Sequence, residues 1–243
     1  MEKEELRQKR AKYLIDLLYP MVLKYNSKDM IAREKDAAII FSNIDQFWDF
    51  YSNNITNYAK YGEDIIPDDK QYSLKDLTTL EKRHLTSGII QHLIDQTIID
   101  TREKIHISGE DSAKDYPIVN YSNNMDDSQK TKYLLDLIYP LSLEFVEDER
   151  ERDAVIISSN IESFWDFYSK NITNYAKYGE VIIPDDKQYS LEDLTTPENR
   201  YLTSGIVHSM LDEFIKNASE RINISRSDND LNDSADYHYE VEI

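Results

Sequence analysis

The chain of 243 residues contains no cysteine, which excludes disulfides, zinc–thiolate sites and thiol nucleophiles. It has five glycines and six prolines, sparse for a β-rich fold that spends those residues on turns. Positive charge is also short: 28 Lys and Arg stand against 47 Asp and Glu, a formal net charge of −19. That balance argues against a surface that holds nucleic acid by general attraction to phosphate. No apolar run reaches the length of a spanning helix or a signal peptide. The N-terminal MEKEELRQKRAKYLIDLLYP is charged from its second residue. The expectation is a cytoplasmic protein without a membrane segment.

What is present is enough to fold. Apolar residues make up 40% of the chain, with two Trp, 18 Tyr and 7 Phe, which excludes global disorder. The dominant feature is an internal duplication. KYLIDLLYP (Lys12–Pro20) repeats as KYLLDLIYP (Lys132–Pro140) at an offset of 120, and the stretch from Phe47 repeats from Phe164 at an offset of 117. Three residues are lost in between, as expected of a loop between fixed elements. The organisation read from this is repeat 1 over 1–107, a linker over 108–127, repeat 2 over 128–225 and an acidic, mobile tail over 226–243.

Within a repeat the apolar spacing is helical. Ile40, Ile44, Phe47, Trp48, Tyr51, Ile55 and Tyr58 fall on one stripe at about 100° per residue, and Ile157, Ile161, Phe164, Trp165, Tyr168, Ile172 and Tyr175 repeat it. Gly62 and Gly179 follow as C-terminal caps. Ser73 with Asp76 predicts a capping box at the start of a short helix. A last helix is predicted from Thr79 or Thr196 to about Lys104 or Arg221, and the first helix ends or kinks at Pro20 or Pro140. The fold class is all-α, two tandem homologous small bundles of three to four helices each.

The two copies differ unevenly. Phe47–Thr78 and Phe164–Thr195 are identical at 29 of 32 positions, whereas Thr79–Ser108 and Thr196–Ser225 match at only 14 of 30. Core packing explains a fixed apolar stripe but not a fixed solvent face, because cores accept volume-conserving swaps. The face opposite the stripe is also fixed: Asp49, Ser52, Thr56 and Lys60 in one copy, Asp166, Ser169, Thr173 and Lys177 in the other. Identity continues through Tyr61, Asp68, Asp69, Lys70 and Tyr72, repeated as Tyr178, Asp185, Asp186, Lys187 and Tyr189. Loops normally drift first, and Trp and Tyr supply contact area at low entropic cost. These eighteen residues are therefore the candidate partner-binding surface, displayed twice. The competing reading places Trp48 and Trp165 in the core.

Catalysis finds little support. The five histidines, at 84, 92, 106, 208 and 238, never occupy matching positions in both copies, so no shared histidine mechanism exists. The Asp68-Asp69 and Asp185-Asp186 turns could hold Mg²⁺ in a metal-dependent hydrolase if another carboxylate converged on them. The repeated Leu-Thr-Ser-Gly-Ile (Leu85–Ile89, Leu202–Ile206) lacks a phosphate-loop pattern, and its small residues suggest close helix packing. Neither a cofactor nor a metal is expected.

Charge is lopsided, with 21 acids and 17 bases in residues 1–120 against 26 and 11 in residues 121–243. Acidic helices can occupy a basic groove on a nucleic-acid-handling protein, and their field would speed that encounter. The functional expectation is a non-enzymatic acidic binding protein. It would act as an inhibitor or adaptor on a basic protein partner, a nucleic-acid mimic in the style of viral accessory proteins. A structural protein with homotypic contacts is the alternative from another class.

Overall fold

The computed structural model describes residues 2–20, 26–61, 72–79, 81–105, 125–139, 147–178, 189–196 and 198–223; side chains at 2, 56–61, 147, 148, 175, 177 and 178 lie outside the description. Among the described residues the protein is all-α, with ten α-helices, two 3-10 segments and no strand. None of these helices is long and apolar enough to cross a membrane. The order is α1 (Glu2–Leu18), α2 (Ser27–Ser42), α3 (Ile44–Tyr61), α4 (Leu74–Leu77) and α5 (Ser87–Ile105), then α6 (Asp127–Ile138), α7 (Glu147–Ser159), α8 (Ile161–Tyr178), α9 (Leu191–Leu194) and α10 (Ser204–Arg221). The second five repeat the order of the first five. The 3-10 segments, Arg83–Thr86 and Arg200–Thr203, precede α5 and α10.

The chain forms two compact units. Unit 1 takes residues 1–97 together with the chain from 215 onward, and unit 2 takes residues 98–214. In unit 1, α1 packs on α2 and α3, burying Leu14, Ile15 and Leu17 with Ile39, Ile40, Ile44, Phe47, Tyr51 and Ile55. In unit 2, α6 packs on α7 and α8 with the equivalent residues buried, including Leu134, Leu135, Ile156, Ile157, Phe164, Tyr168 and Ile172.

Among the described residues each repeat holds five α-helices, because the long apolar stripe is divided. Asn43 and Asn160 end one helix and start the next. The Asn43 side-chain amide donates to Ile39 O at 2.9 Å, and its own carbonyl accepts the Phe47 N–H at 3.0 Å. Asn160 does the same with Ile156 O and Phe164 N. A side chain that adds a donor to a last-turn carbonyl helps close one helix while the carbonyl of the same residue opens the next. The apolar period crosses the break unaltered, so a stripe alone does not reveal it.

The last helix begins later than its sequence pattern predicts. Thr79 O accepts the N–H groups of Lys82 and Arg83, and Thr196 O those of Asn199 and Arg200, but these bonds close turns that lead into 3-10 geometry. Regular α-helix starts only at Ser87 and Ser204. The predicted capping boxes form in both copies. Asp76 N–H donates to Ser73 Oγ at 3.1 Å and Ser73 N–H to Asp76 Oδ2 at 3.0 Å, with the same pair at Ser190 and Asp193. Gly62, Gly179, Pro140 and the tail from 226 lie outside the described residues.

Candidate functional site

The stripe of α3 is interior. Phe47, Trp48, Tyr51 and Ile55 are buried, with Trp48 only 3% exposed. Its ring meets Tyr13 edge-on at 5.9 Å, and the Arg10 guanidinium lies 5.0 Å from its centroid. Trp48 is thus a core residue, and the aromatic content of the segment is not an offered surface at this position. Trp165 meets Tyr133 at 5.8 Å in the same edge-on manner and is half-buried.

Behind this aromatic pair lies a polar chain present in both copies. Tyr13 Oη and Tyr51 Oη are 3.1 Å apart, and Tyr51 Oη and Thr86 Oγ1 are 3.1 Å apart, all buried. Thr86 Oγ1 donates its proton to Arg83 O at 2.7 Å. A hydroxyl has one proton, so Thr86 must accept from Tyr51, and Tyr51 in turn must accept from Tyr13. The equivalent chain runs Tyr133, Tyr168, Thr203 and Arg200 O, with separations of 3.3, 3.1 and 2.7 Å. Burial pushes the Tyr13 and Tyr51 phenols above their ordinary range, which keeps both protonated as this chain requires.

This chain explains the Leu-Thr-Ser-Gly-Ile motif. Thr86 and Thr203 are fully buried and anchor the 3-10 segment to α3 or α8, whereas among the described residues no other element lies within 4 Å of a Cβ built on Gly88 or Gly205. The expected close packing at glycine does not occur; the threonine is the constrained residue.

A second buried group escaped sequence reasoning. Tyr19 Oη donates to Asp36 Oδ2 at 2.6 Å and Tyr139 Oη to Asp153 Oδ2 at 2.5 Å, with Asp36 and Asp153 almost wholly enclosed. On the preceding turn Lys12 Nζ lies 3.4 Å from Asp16 and Lys132 Nζ 3.9 Å from Asp136. The two tyrosine–aspartate bonds tie the end of α1 to α2 and the end of α6 to α7, while each lysine–aspartate pair lies within one helix. Burial holds the Asp136 carboxyl above its ordinary range, opposed by the charges of Lys132, Arg200 and Arg150. Its Oδ1 has no hydrogen-bond partner among the described residues. The available signal was identity between copies outside the most similar stretch: Lys12, Asp16, Tyr19 and Asp36 recur as Lys132, Asp136, Tyr139 and Asp153.

The predicted surface divides into what is described and what is not. Asp49 and Asp166 are exposed, Ser52 and Ser169 half-buried, Thr173 exposed, and Tyr72 and Tyr189 half-buried. Thr56, Lys60, Tyr61, Lys177 and Tyr178 lie on α3 and α8, but their side chains are outside the description, as are Asp68, Asp69, Lys70, Asp185, Asp186 and Lys187 altogether. Thr173 Oγ1 donates back to Ser169 O at 2.7 Å. Asp166 pairs with Lys170 at 2.5 Å, whereas the first repeat has Asn53 at the position of Lys170. The Lys82 ammonium lies 4.9 Å from the Tyr72 ring centroid, and the second repeat has Asn199 at the position of Lys82. Among the described residues no group of three or more His, Asp or Glu is placed to hold a metal ion. No family model, curated protein or solved structure matches the chain.

Proposed function

We propose that the chain is a non-enzymatic binding protein that offers the same polar and aromatic surface once per repeat to a protein partner. The supporting observation is a retention that contacts among the described residues do not explain. Asp49 and Asp166 are identical and exposed although only Asp166 has a lysine one turn away. Tyr72 and Tyr189 are identical although, among the described residues, a cation lies over the Tyr72 ring alone of the two. A side chain kept while its internal partner changes is held by something else, and recognition of an external surface is a physical reason of that kind. Two identical surfaces on one chain permit bivalent engagement of a dimeric or repetitive partner. The net charge of −19 directs the choice toward a basic partner, such as a nucleic-acid-handling protein on which this chain acts as inhibitor or adaptor.

The test is an affinity capture from lysate of the source with wild type and with the variant Asp49→Ala, Tyr72→Ala, Asp166→Ala, Tyr189→Ala. The expected result is a partner held by wild type, released by raised salt, and lost from a variant with unchanged helical circular dichroism. The same partners on both proteins, or none on either, would overturn the reading.

A further inference from the structure

We infer that the two repeats complete each other by exchanging the C-terminal halves of their last helices. The exchange is read from the composition of the units. Unit 1 passes from repeat 1 to the other end of the chain between Thr97 and Ile215, and α5 and α10 are each continuous across those boundaries. Ile98 and Ile215 are 117 residues apart, which is the repeat offset in this region. Both repeats therefore give up the same part of the same helix.

The exchanged segments are built into their units. In unit 1, Ile215, Ala218 and Ile222 are buried on one helix face, Arg221 reaches Glu4 at 3.5 Å, and its guanidinium lies 5.7 Å from the Phe41 ring centroid. In unit 2 the equivalent positions Ile98, Thr101 and Ile105 are buried, Arg102 pairs with Glu151 at 3.0 Å, and Ser128 Oγ donates to Lys104 O at 2.5 Å. That last bond supplies a donor to one of the four carbonyls a helix end leaves open. The polar contacts differ between the copies while the buried face recurs, the pattern of a packing requirement with locally chosen caps. Neither repeat is then a closed fold by itself. Covalent tandem linkage gives the exchange a high effective concentration, so it closes within one chain.

The absence of cysteine makes the exchange directly testable, because a variant carries only the thiols placed in it. One variant has Glu4→Cys with Arg221→Cys. The other has Glu4→Cys with Lys104→Cys, the position equivalent to Arg221 in the first repeat. Both full-length chains also carry a protease site between residues 106 and 124. The monomer is treated with a short bis-maleimide, cut, and run on a denaturing gel. The expected result is a band joining the two fragments for the first variant and separated fragments for the second. Separated fragments from the first variant, or a 4–104 cross-link found by mass within the N-terminal fragment of the second, would overturn the exchange.

Discussion

The interiors of the two units are closely alike, whereas the pairings that their exposed side chains make are not. Tyr13, Tyr51 and Thr86 recur as Tyr133, Tyr168 and Thr203 with separations that agree within 0.2 Å, and the Tyr19–Asp36 bond recurs as Tyr139–Asp153. Outside, Arg10 stacks on Trp48 in one unit, while the residue equivalent to Arg10 in the other, Lys130, pairs with Asp127 at 3.2 Å. A buried hydroxyl or carboxylate that loses its partner forfeits the whole bond to water as well, so its neighbours are fixed together. An exposed pair contributes little and is replaced at small cost. Identity between the copies therefore carries different meanings at different depths: inside it records satisfaction of buried polar groups, and outside it requires a reason beyond the fold.

The largest difference expected between the units lies at the tryptophans. Trp48→Ala should cost about 3–5 kcal/mol, since it empties a core position and releases the Tyr13 and Arg10 contacts. Trp165→Ala, at a half-buried ring, should cost less, below about 3 kcal/mol. Urea midpoints of the two variants check the order, and equal losses would show that the units do not differ in this way.

The hydroxyl chains should behave alike. Thr86→Val and Thr203→Val each keep the volume but remove the acceptor for a buried tyrosine proton, at about 1–3 kcal/mol apiece. Thermal melts of the two variants should shift equally, and a neutral result at either site would mean that the chain does not hold that 3-10 segment.

The smallest effect is a slope with pH. Burial raises the Asp136 carboxyl above the ordinary value of 3.8, so the folded state binds its proton more readily than the unfolded chain. Its contribution is fully favourable below the unfolded value and is lost as pH rises through the folded one. Asp76 and Asp193, held low by hydrogen bonds from Ser73 and Ser190, run the other way: their contribution is present above the unfolded value and is lost as pH falls. Asp136→Asn should therefore gain on wild type as pH rises from 4 toward neutrality. Urea midpoints measured across that range that stay parallel for the two proteins would remove Asp136 as a source of the slope.

Much of this architecture is legible in the chain. The 3.6-residue period of the Phe47 stripe and the Ser73-x-x-Asp76 pattern are local signals: the second produced the element it predicts, and the first falls on helix throughout but on two helices instead of one. The Asn43 and Asn160 breaks were not legible, because a side chain that caps one helix while its carbonyl starts the next leaves the apolar period intact. In the candidate surface, the sequence singled out Asp49, Tyr72 and their counterparts by identity, whereas the identity of Trp48, for which a core position was the competing reading, has an interior cause. The Tyr19–Asp36 pair went unread because its members are 17 residues apart on different helices.

What the sequence determined by itself is the helical class, the twofold repetition, the capping of the short helices and the absence of thiol chemistry, since each depends on residue type and on spacing within a few turns. Tertiary structure decided which of the identical residues face inward, where the stripe divides, and which unit receives the end of each last helix. Those are questions of which distant surfaces meet. An apolar face of period 3.6 specifies that it must be covered, while the covering surface is chosen by packing among all the elements at once.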